Sequence, residues 1–457
     1  VSELEVDLSE IVKAYDIRGV VGDQLTAEAA RRFGAAFAKL VAADTGTGAN
    51  GVTVGRDMRA TSPELAAAFA EGVTGQGLDV IDIGLASTDL LYFAAGTLQL
   101  PGAMVTASHN PARYNGFKLC RAGAVPIADE LAGLRADAER GLPVKPAERA
   151  GTVTERDLLG DYARYLRGLV DLSGSRPLKV VVDAGNGMAG HTVPSVLVPP
   201  VELVPLYFEL DGSFPNHEAN PLDPANLVDL CERVRAEEAD IGLAFDGDAD
   251  RCFVVDERGR PVSPSAITAL VAVRELEREP GGTVIHNLIT SKAVPEIVGE
   301  HGGRPVRTRV GHSFIKRTMA ETGAIFGGEH SAHYYFRDFW RADSGLLAAL
   351  HVLAALGERD RALSELMAHY GRYAMSGEVN SSVADPAARL AAVRGHYGGR
   401  DGVHLDELDG LTVQLPDGSW FNLRPSNTEP LLRLNVEAAD AETVAALRDD
   451  VLALVRR

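Results

Sequence analysis

Three cysteines in 457 residues, Cys120, Cys231 and Cys252, are too few and too scattered for a disulfide framework. They form no CxxC pair and no zinc-type spacing, so they read as small buried hydrophobes of a chain kept in a reducing compartment, with a bacterial-type cytoplasm as the expected location. Positive charge is also scarce. Lys and Arg number 45 against 64 Asp and Glu, a formal charge of −19, which argues against general nucleic-acid binding because that rests on neutralising phosphates with cations. Any site for an anionic ligand must therefore gather its few basic residues locally. Long apolar runs are missing. The stretch from Leu346 to Leu356 is too short to span a bilayer, and the opening VSELEVDLSE is acidic without a secretory core. No membrane partner is expected. A GxSxG nucleophile elbow and a nucleotide P-loop are absent too.

What remains is ample for several cores. Hydrophobic residues make up 46% of the chain, and its length implies about three or four domains at roughly 100–200 residues each. Strand-like and helix-like runs alternate through most of it. GVTVG (51–55), DVIDIG (79–84) and GAMVTA (102–107) read as buried strands, followed by a helical stretch at 129–141 and a Pro-rich break at 141–151. A second cycle holds LKVVVDAGNG, VELVPLYFEL, a helix at 225–238, ADIGLAF and a hairpin at 252–262. A third runs to about 370. The remainder reads as a smaller α+β unit closed by a C-terminal helix. The expected fold class is α/β, three similar mixed domains plus a cap, with boundaries at 1–152, 153–258, 259–370 and 371–457.

Four motifs carry chemistry. Thr106-Ala-Ser-His-Asn-Pro111 follows an apolar strand, where open α/β sheets display ligand-binding residues. Ser108 is a candidate nucleophile with His109 beside it, and Tyr114-Asn-Gly-Phe-Lys118 is read as a tight turn that brings a cation to the same loop. Asp246-Gly-Asp248-Ala-Asp250-Arg251 follows another strand. If extended, it turns three carboxylates to one side, and three buried like charges repel unless a cation sits among them. All-oxygen ligation suits Mg²⁺. A calcium loop would want Gly where Arg251 stands, and a solvated acidic loop would not be flanked by apolar strands. Arg251 could clamp a phosphate or pair with the same aspartates. Gly327-Gly-Glu329-His-Ser331-Ala-His333 sets a carboxylate, a hydroxyl and an imidazole in one row by period two, a set able to read sugar hydroxyls. Arg424-Pro-Ser426-Asn427-Thr428 offers a compact oxyanion cradle. Tyr15-Asp-Ile-Arg18 and the Gly311-His312 helix start, a place that favours anions, are minor signals.

Taken in order, YDIRG, TASHNP, DGDADR, GEHSAH and RPSNTEP resemble the α-D-phosphohexomutase family over the whole chain, most nearly its bacterial phosphomannomutase/phosphoglucomutase group. The resemblance implies four domains around a central active-site cleft. It implies that Ser108 carries a transferable phosphoryl group and that Mg²⁺ binds Asp246, Asp248, Asp250 and an oxygen of that phosphate. It also implies that Glu329 and Ser331 hold sugar hydroxyls and that Arg424, Ser426, Asn427 and Thr428 grip the phosphate that does not react. Tyr15, Arg18, Lys118, His109, Arg251, His312 and His333 would surround the reacting groups. The implied substrate is a hexose phosphate, with hexose 1,6-bisphosphate as intermediate and activator. SAHYYFRDF, with Ala332 where many dual-specificity members carry glycine, is similar to members dedicated to mannose. Glucose, both sugars, or a sugar-phosphate binding protein without activity are the competing readings. Monomer and dimer are equally compatible with the sequence.

Overall fold

The computed structural model describes residues 7–42, 50–142, 150–425 and 431–457. They divide into two compact units, Val1–Val262 with Ser331–Ser364, and Ser263–His330 with Glu365–Arg457. The Pro-rich break at 141–151 lies mostly outside the described residues.

The first unit contains two sheets. In one, strands run in the order Ile17–Val20, Tyr114–Arg121, Gly102–Val105, Gly51–Arg56, Asp79–Leu85 and Val153–Glu155. The last four are mutually parallel, and the strand at 114–121 runs against both of its neighbours. YNGFK therefore lies within an eight-residue strand and is not the tight turn expected from Asn-Gly. Pairing on both sides outweighs the local turn preference of that dipeptide. Helices Ala27–Ala42 and Ser62–Thr74 close over this sheet through Phe33, Phe37, Phe69 and Phe117, and the Phe69 and Phe117 rings stack at 5.1 Å. The second sheet orders Pro261–Val262, Cys252–Asp256, Ile241–Phe245, Leu178–Asp183 and Val201–Leu206. The last three strands are parallel, and the hairpin expected at 252–262 is present. A short antiparallel pair, Tyr334–Phe336 with Ala342–Asp343, leads into helix Gly345–Gly357, every residue of which is buried. Its apolar surface all round matches that burial.

In the second unit, parallel strands Arg304–Thr308, Thr283–Asn287 and Phe326–Gly328 lie with helices Pro264–Arg278, Ala293–Glu300 and His312–Thr322. Its C-terminal part is an antiparallel sheet in the order Ala374–Ser382, Leu431–Ala438, Trp420–Pro425, Leu411–Gln414 and His404–Asp406. One face of that sheet packs Leu411, Val413, Phe421, Leu423, Leu432, Leu434 and Val436 against helices Pro386–Tyr397 and Ala441–Val455. Asp385 and Asp440 cap these helices, each accepting a backbone N–H three residues on. Among the described residues no helix is long and apolar enough to cross a membrane.

Candidate active site

The strand Gly102–Val105 ends just before Ser108, whose backbone takes a left-handed φ of +51°. A serine in that region costs free energy unless its surroundings impose it. Part of the imposition is local, because the Ser108 N–H donates to Thr106 Oγ1 at 2.9 Å. The result is a hydroxyl aimed inward, donating to Asp246 Oδ2 at 2.8 Å and lying 3.4 Å from His109 Nδ1. Burial, with Arg251 and Arg18 nearby, pushes the His109 imidazole well below its usual value and so favours its neutral form.

Asp246, Asp248 and Asp250 converge opposite this hydroxyl, with oxygens of all three within 4.8 Å of one another. The expectation of convergence holds, but its cause differs. The segment after Phe245 is a turn, not extended chain, and Ala249 at φ +59° bends it. Gly247 permits the close approach of the two loops, since a Cβ there would lie 2.4 Å from the Ser108 carbonyl oxygen. Burial pushes the Asp246 carboxyl up to about 7 despite the opposing pull of Arg251. Burial also works to raise Asp248, but the Lys118 ammonium outweighs it and holds that carboxyl low.

These carboxylates fit a divalent cation. Asp248 Oδ1 and Asp250 Oδ1 are buried and accept no hydrogen bond from any described residue. Such atoms are costly unless a cation or water satisfies them, and an all-oxygen donor set is what a hard cation takes.

Lys118, Arg251, Arg18 and His333, four of the basic residues expected around the site, lie in the same unit as Ser108. Lys118 reaches Asp248 at 2.6 Å and Asp250 at 2.5 Å. Burial alone would lower its ammonium, but Asp248 and Asp250 outweigh that and raise it, so it stays charged. Arg251 pairs with Asp246 through Nε at 2.9 Å and Nη2 at 2.8 Å, the local pairing that the sequence left open. Arg18 donates to Asn110 at 2.6 Å and pairs with Asp16, while Tyr15 is half-buried beside it. His333 stacks on Tyr335, and its Nδ1 lies 3.2 Å from Ser331 Oγ. Its Nε2 is 3.8 Å from Asp250 and 4.0 Å from Asp343.

Residues 329–333 form a turn with Ala332 at φ +65°, so the period-two row of Glu329, Ser331 and His333 does not exist. A strand ends at Gly328, and the alternation ends with it. Glu329 is nevertheless buried, and its Oε1 accepts from Asn287 Nδ2 at 2.9 Å. Thr290 fixes that amide by donating to Asn287 Oδ1 at 2.7 Å. His312 is half-buried at the first residue of helix His312–Thr322, as expected, and Arg424 pairs with Glu378 at 3.2 Å. Ser426, Asn427 and Thr428 lie outside the described residues.

Three participants escaped the sequence reading. Thr88 donates through Oγ1 to Asp248 Oδ2 at 2.6 Å and through its N–H to the Asp248 carbonyl at 3.0 Å. Asn287 orients Glu329. Arg59 holds the Ser108 loop. Thr88 and Arg59 sit just past the carboxyl ends of strands Asp79–Leu85 and Gly51–Arg56, and Asn287 is itself the last residue of strand Thr283–Asn287. That shared location is a signal that the sequence does carry.

Comparison with known proteins agrees along the chain. Profiles described as phosphoglucomutase/phosphomannomutase match its alpha/beta/alpha domain I at residues 9–140, domain II at 161–259, domain III at 263–373 and the C-terminal domain at 378–454. A phosphomannomutase of Escherichia coli is 40% identical over 97% of this chain and 98% of its own length. A protein named phosphohexose mutases from Xanthomonas campestris pv. campestris is 42% identical over 97% and 98%. A solved phosphoglucomutase/phosphomannomutase family structure from Burkholderia thailandensis superposes with a TM-score of 0.87 at 35% identity, covering 98% of this chain and 97% of that one. With a buried serine facing three carboxylates and four consecutive domain matches, the chain belongs to the phosphoglucomutase/phosphomannomutase family, the α-D-phosphohexomutases.

Proposed function

We propose that the chain interconverts mannose 1-phosphate and mannose 6-phosphate through phosphorylated Ser108 and an enzyme-held hexose 1,6-bisphosphate. The observation that carries this reading is the Ser108 hydroxyl 2.8 Å from Asp246, inside a buried triad of carboxylates. The mannose relatives at about 40% identity support the choice of sugar.

In the forward half, a free sugar hydroxyl oxygen attacks the phosphorus on Ser108. A new P–O bond to the sugar forms as the bond to Ser108 Oγ breaks. Ser108 Oγ then takes a phosphoryl group back from the other position of the bisphosphate. Of the two candidate proton carriers, His333 would take the proton of the attacking sugar hydroxyl, and Lys118, which the aspartates keep charged, would neutralise charge on the transferring group. Asp246, Asp248 and Asp250, with an oxygen of phosphorylated Ser108, would hold Mg²⁺, which when bound neutralises charge on the transferring group. Such transfers depend on positioning and charge neutralisation more than on covalent help. Arg251, Arg18 and His109 would line the reacting phosphate, and Tyr15 and His312 would flank it. Glu329 and Ser331 would read sugar hydroxyls, and Arg424, Ser426, Asn427 and Thr428 would hold the distal phosphate. Hexose 1,6-bisphosphate would phosphorylate Ser108 at the start. Three cysteines without disulfides support a cytoplasmic enzyme.

The test is ³¹P NMR of mannose 1-phosphate and glucose 1-phosphate in separate samples, each with Mg²⁺, a trace of hexose 1,6-bisphosphate and the protein, alongside Ser108→Ala. Conversion to 6-phosphates by the unsubstituted protein only, faster for mannose, is expected. Folded, phosphorylated protein that converts neither sugar would leave a binding role instead.

A further inference from the structure

We infer that Arg59 is a positioning residue for phosphoryl transfer: it clamps the backbone of the Ser108 loop so that the serine keeps its strained conformation and its aim. The inference rests on the proposed role of Ser108.

Arg59 lies in the loop between strand Gly51–Arg56 and helix Ser62–Thr74 and is only 1% exposed. A guanidinium has five N–H donors in a planar fork, and all five are used here. The Nε donates to Asp57 Oδ2 at 3.1 Å. Nη1 donates to the carbonyls of Pro111 and Tyr114, both at 3.0 Å. Nη2 donates to the carbonyls of Ser108 at 2.8 Å and Asn110 at 2.7 Å. Four carbonyls of the segment 108–114 thus converge on one cation, which fixes the path of the loop from Ser108 onward. Asp57 is braced in turn, accepting the Arg59 N–H at 3.0 Å and the Ser62 hydroxyl at 2.5 Å.

The outer face of the clamp is held by the loop after strand Val201–Leu206. Phe214 places its ring 5.1 Å from the Arg59 guanidinium carbon, a cation–π contact. Gly212 lies so close that a Cβ there would meet Arg59 Cα at 2.5 Å. That loop is tied down by Asn216 to Asn186 at 2.8 Å, by the Asp211 N–H to the Asn186 carbonyl at 3.0 Å, and by His217 Nε2 to Asp183 at 3.0 Å. Arg59 therefore connects a rigid brace to the nucleophile's backbone without pointing at Ser108 Oγ itself. Lysine cannot replace it. Three donors on a point-like ammonium do not span four carbonyls and a carboxylate.

The test compares Arg59→Lys, Arg59→Ala and Phe214→Leu with the unsubstituted protein. It reads kcat and KM for mannose 1-phosphate, the half-life of phosphoserine by intact mass, and thermal unfolding. We expect Arg59→Lys to lower kcat by about 10²-fold with little change in KM, the scale of an ångström-level misplacement of a reacting group. Phosphoserine half-life should change in the same variant. Millimolar guanidinium or methylguanidinium should restore part of the Arg59→Ala turnover, and ammonium should not. Phe214→Leu, which retains every hydrogen bond of the clamp, should give a smaller kcat loss in the same direction. Full kcat in folded Arg59→Lys, or a loss that merely tracks the unfolded fraction and does not respond to guanidinium, overturns the inference. If the unsubstituted protein neither acquires phosphoserine nor turns over, the functional reading fails instead.

Discussion

The centre of Ser108 and the three carboxylates differs in construction from the residues proposed to hold the sugar and its distal phosphate. Around Ser108 the participants hold one another. Lys118 bridges two aspartates, Arg251 pairs with the third, Thr88 props Asp248, and Ser108 and the three aspartates are at most 4% exposed. Ser331, His312 and Arg424 are half-buried. Glu329 is the exception, buried and aimed by Asn287. A transition state with developing charge rewards groups fixed in advance, whereas a sugar that turns over between two half-reactions, as proposed, would be met by groups that are only partly buried. Substitutions in the two regions should therefore fail differently.

The largest effect is expected at Asp248, which answers to both Lys118 and Thr88. Asp248→Asn removes charge from the carboxylate set, and we expect kcat to fall by about 10³-fold or more, the scale seen on loss of a charge-stabilising group. Isothermal titration should show weakened Mg²⁺ binding in the same variant. A variant that keeps turnover within tenfold would mean that the triad is structural, and the contrast between the regions would collapse.

Glu329→Gln should produce a loss of about 10- to 100-fold in kcat/KM, the range for one hydrogen bond to a charged group. Asn287→Ala acts only through Glu329, so about tenfold is expected there. Steady-state kinetics on both mannose and glucose 1-phosphates checks this. The double variant should be little worse than Glu329→Gln alone if the two residues act in series. Additive losses would assign Asn287 a separate task.

The same contrast governs what could be read from the chain. Motifs with charge at fixed spacing, such as Asp246 to Arg251, announce their chemistry because buried like charges have few other uses. Their geometry was less legible. Period-two reasoning placed Glu329, Ser331 and His333 in a row, but Ala332 enters the left-handed region and ends the alternation. At Asp246 to Asp250 a turn achieved what extension was expected to do. Tyr114 to Lys118 reads as a turn locally, yet pairing with the strands Ile17–Val20 and Gly102–Val105 makes it a strand. Arg59, Thr88 and Asn287 show the remaining limit. Each is one polar residue among many, and only the acceptors brought to it from 20 or more positions away give it a role.

The smallest catalytic effect and the sharpest pH signature are expected at Asp89, a buried carboxyl in the first unit but outside the triad of Asp246, Asp248 and Asp250. It accepts from Tyr162 at 2.6 Å and Ser344 at 2.7 Å, and from Ser87 at its other oxygen, tying three segments together. Burial pushes it from 3.8 up to about 6 even against these three hydroxyl donors. A carboxyl raised on folding stabilises the native state through its neutral form. That contribution is complete below the ordinary value of 3.8 and is lost as pH rises through about 6. Asp89→Asn does not titrate, so the difference in unfolding free energy between the variant and the unsubstituted protein should climb with pH across this window. The expected slope is about 1.4 kcal/mol per unit, and the difference should be flat above it. Urea melts at a series of pH values measure this directly, and turnover near neutral pH should change little. A difference that does not vary with pH would mean that Asp89 is ionised at an ordinary value inside the fold. Its three hydroxyls would then be offsetting the whole cost of burial, and the brace would be a charged one.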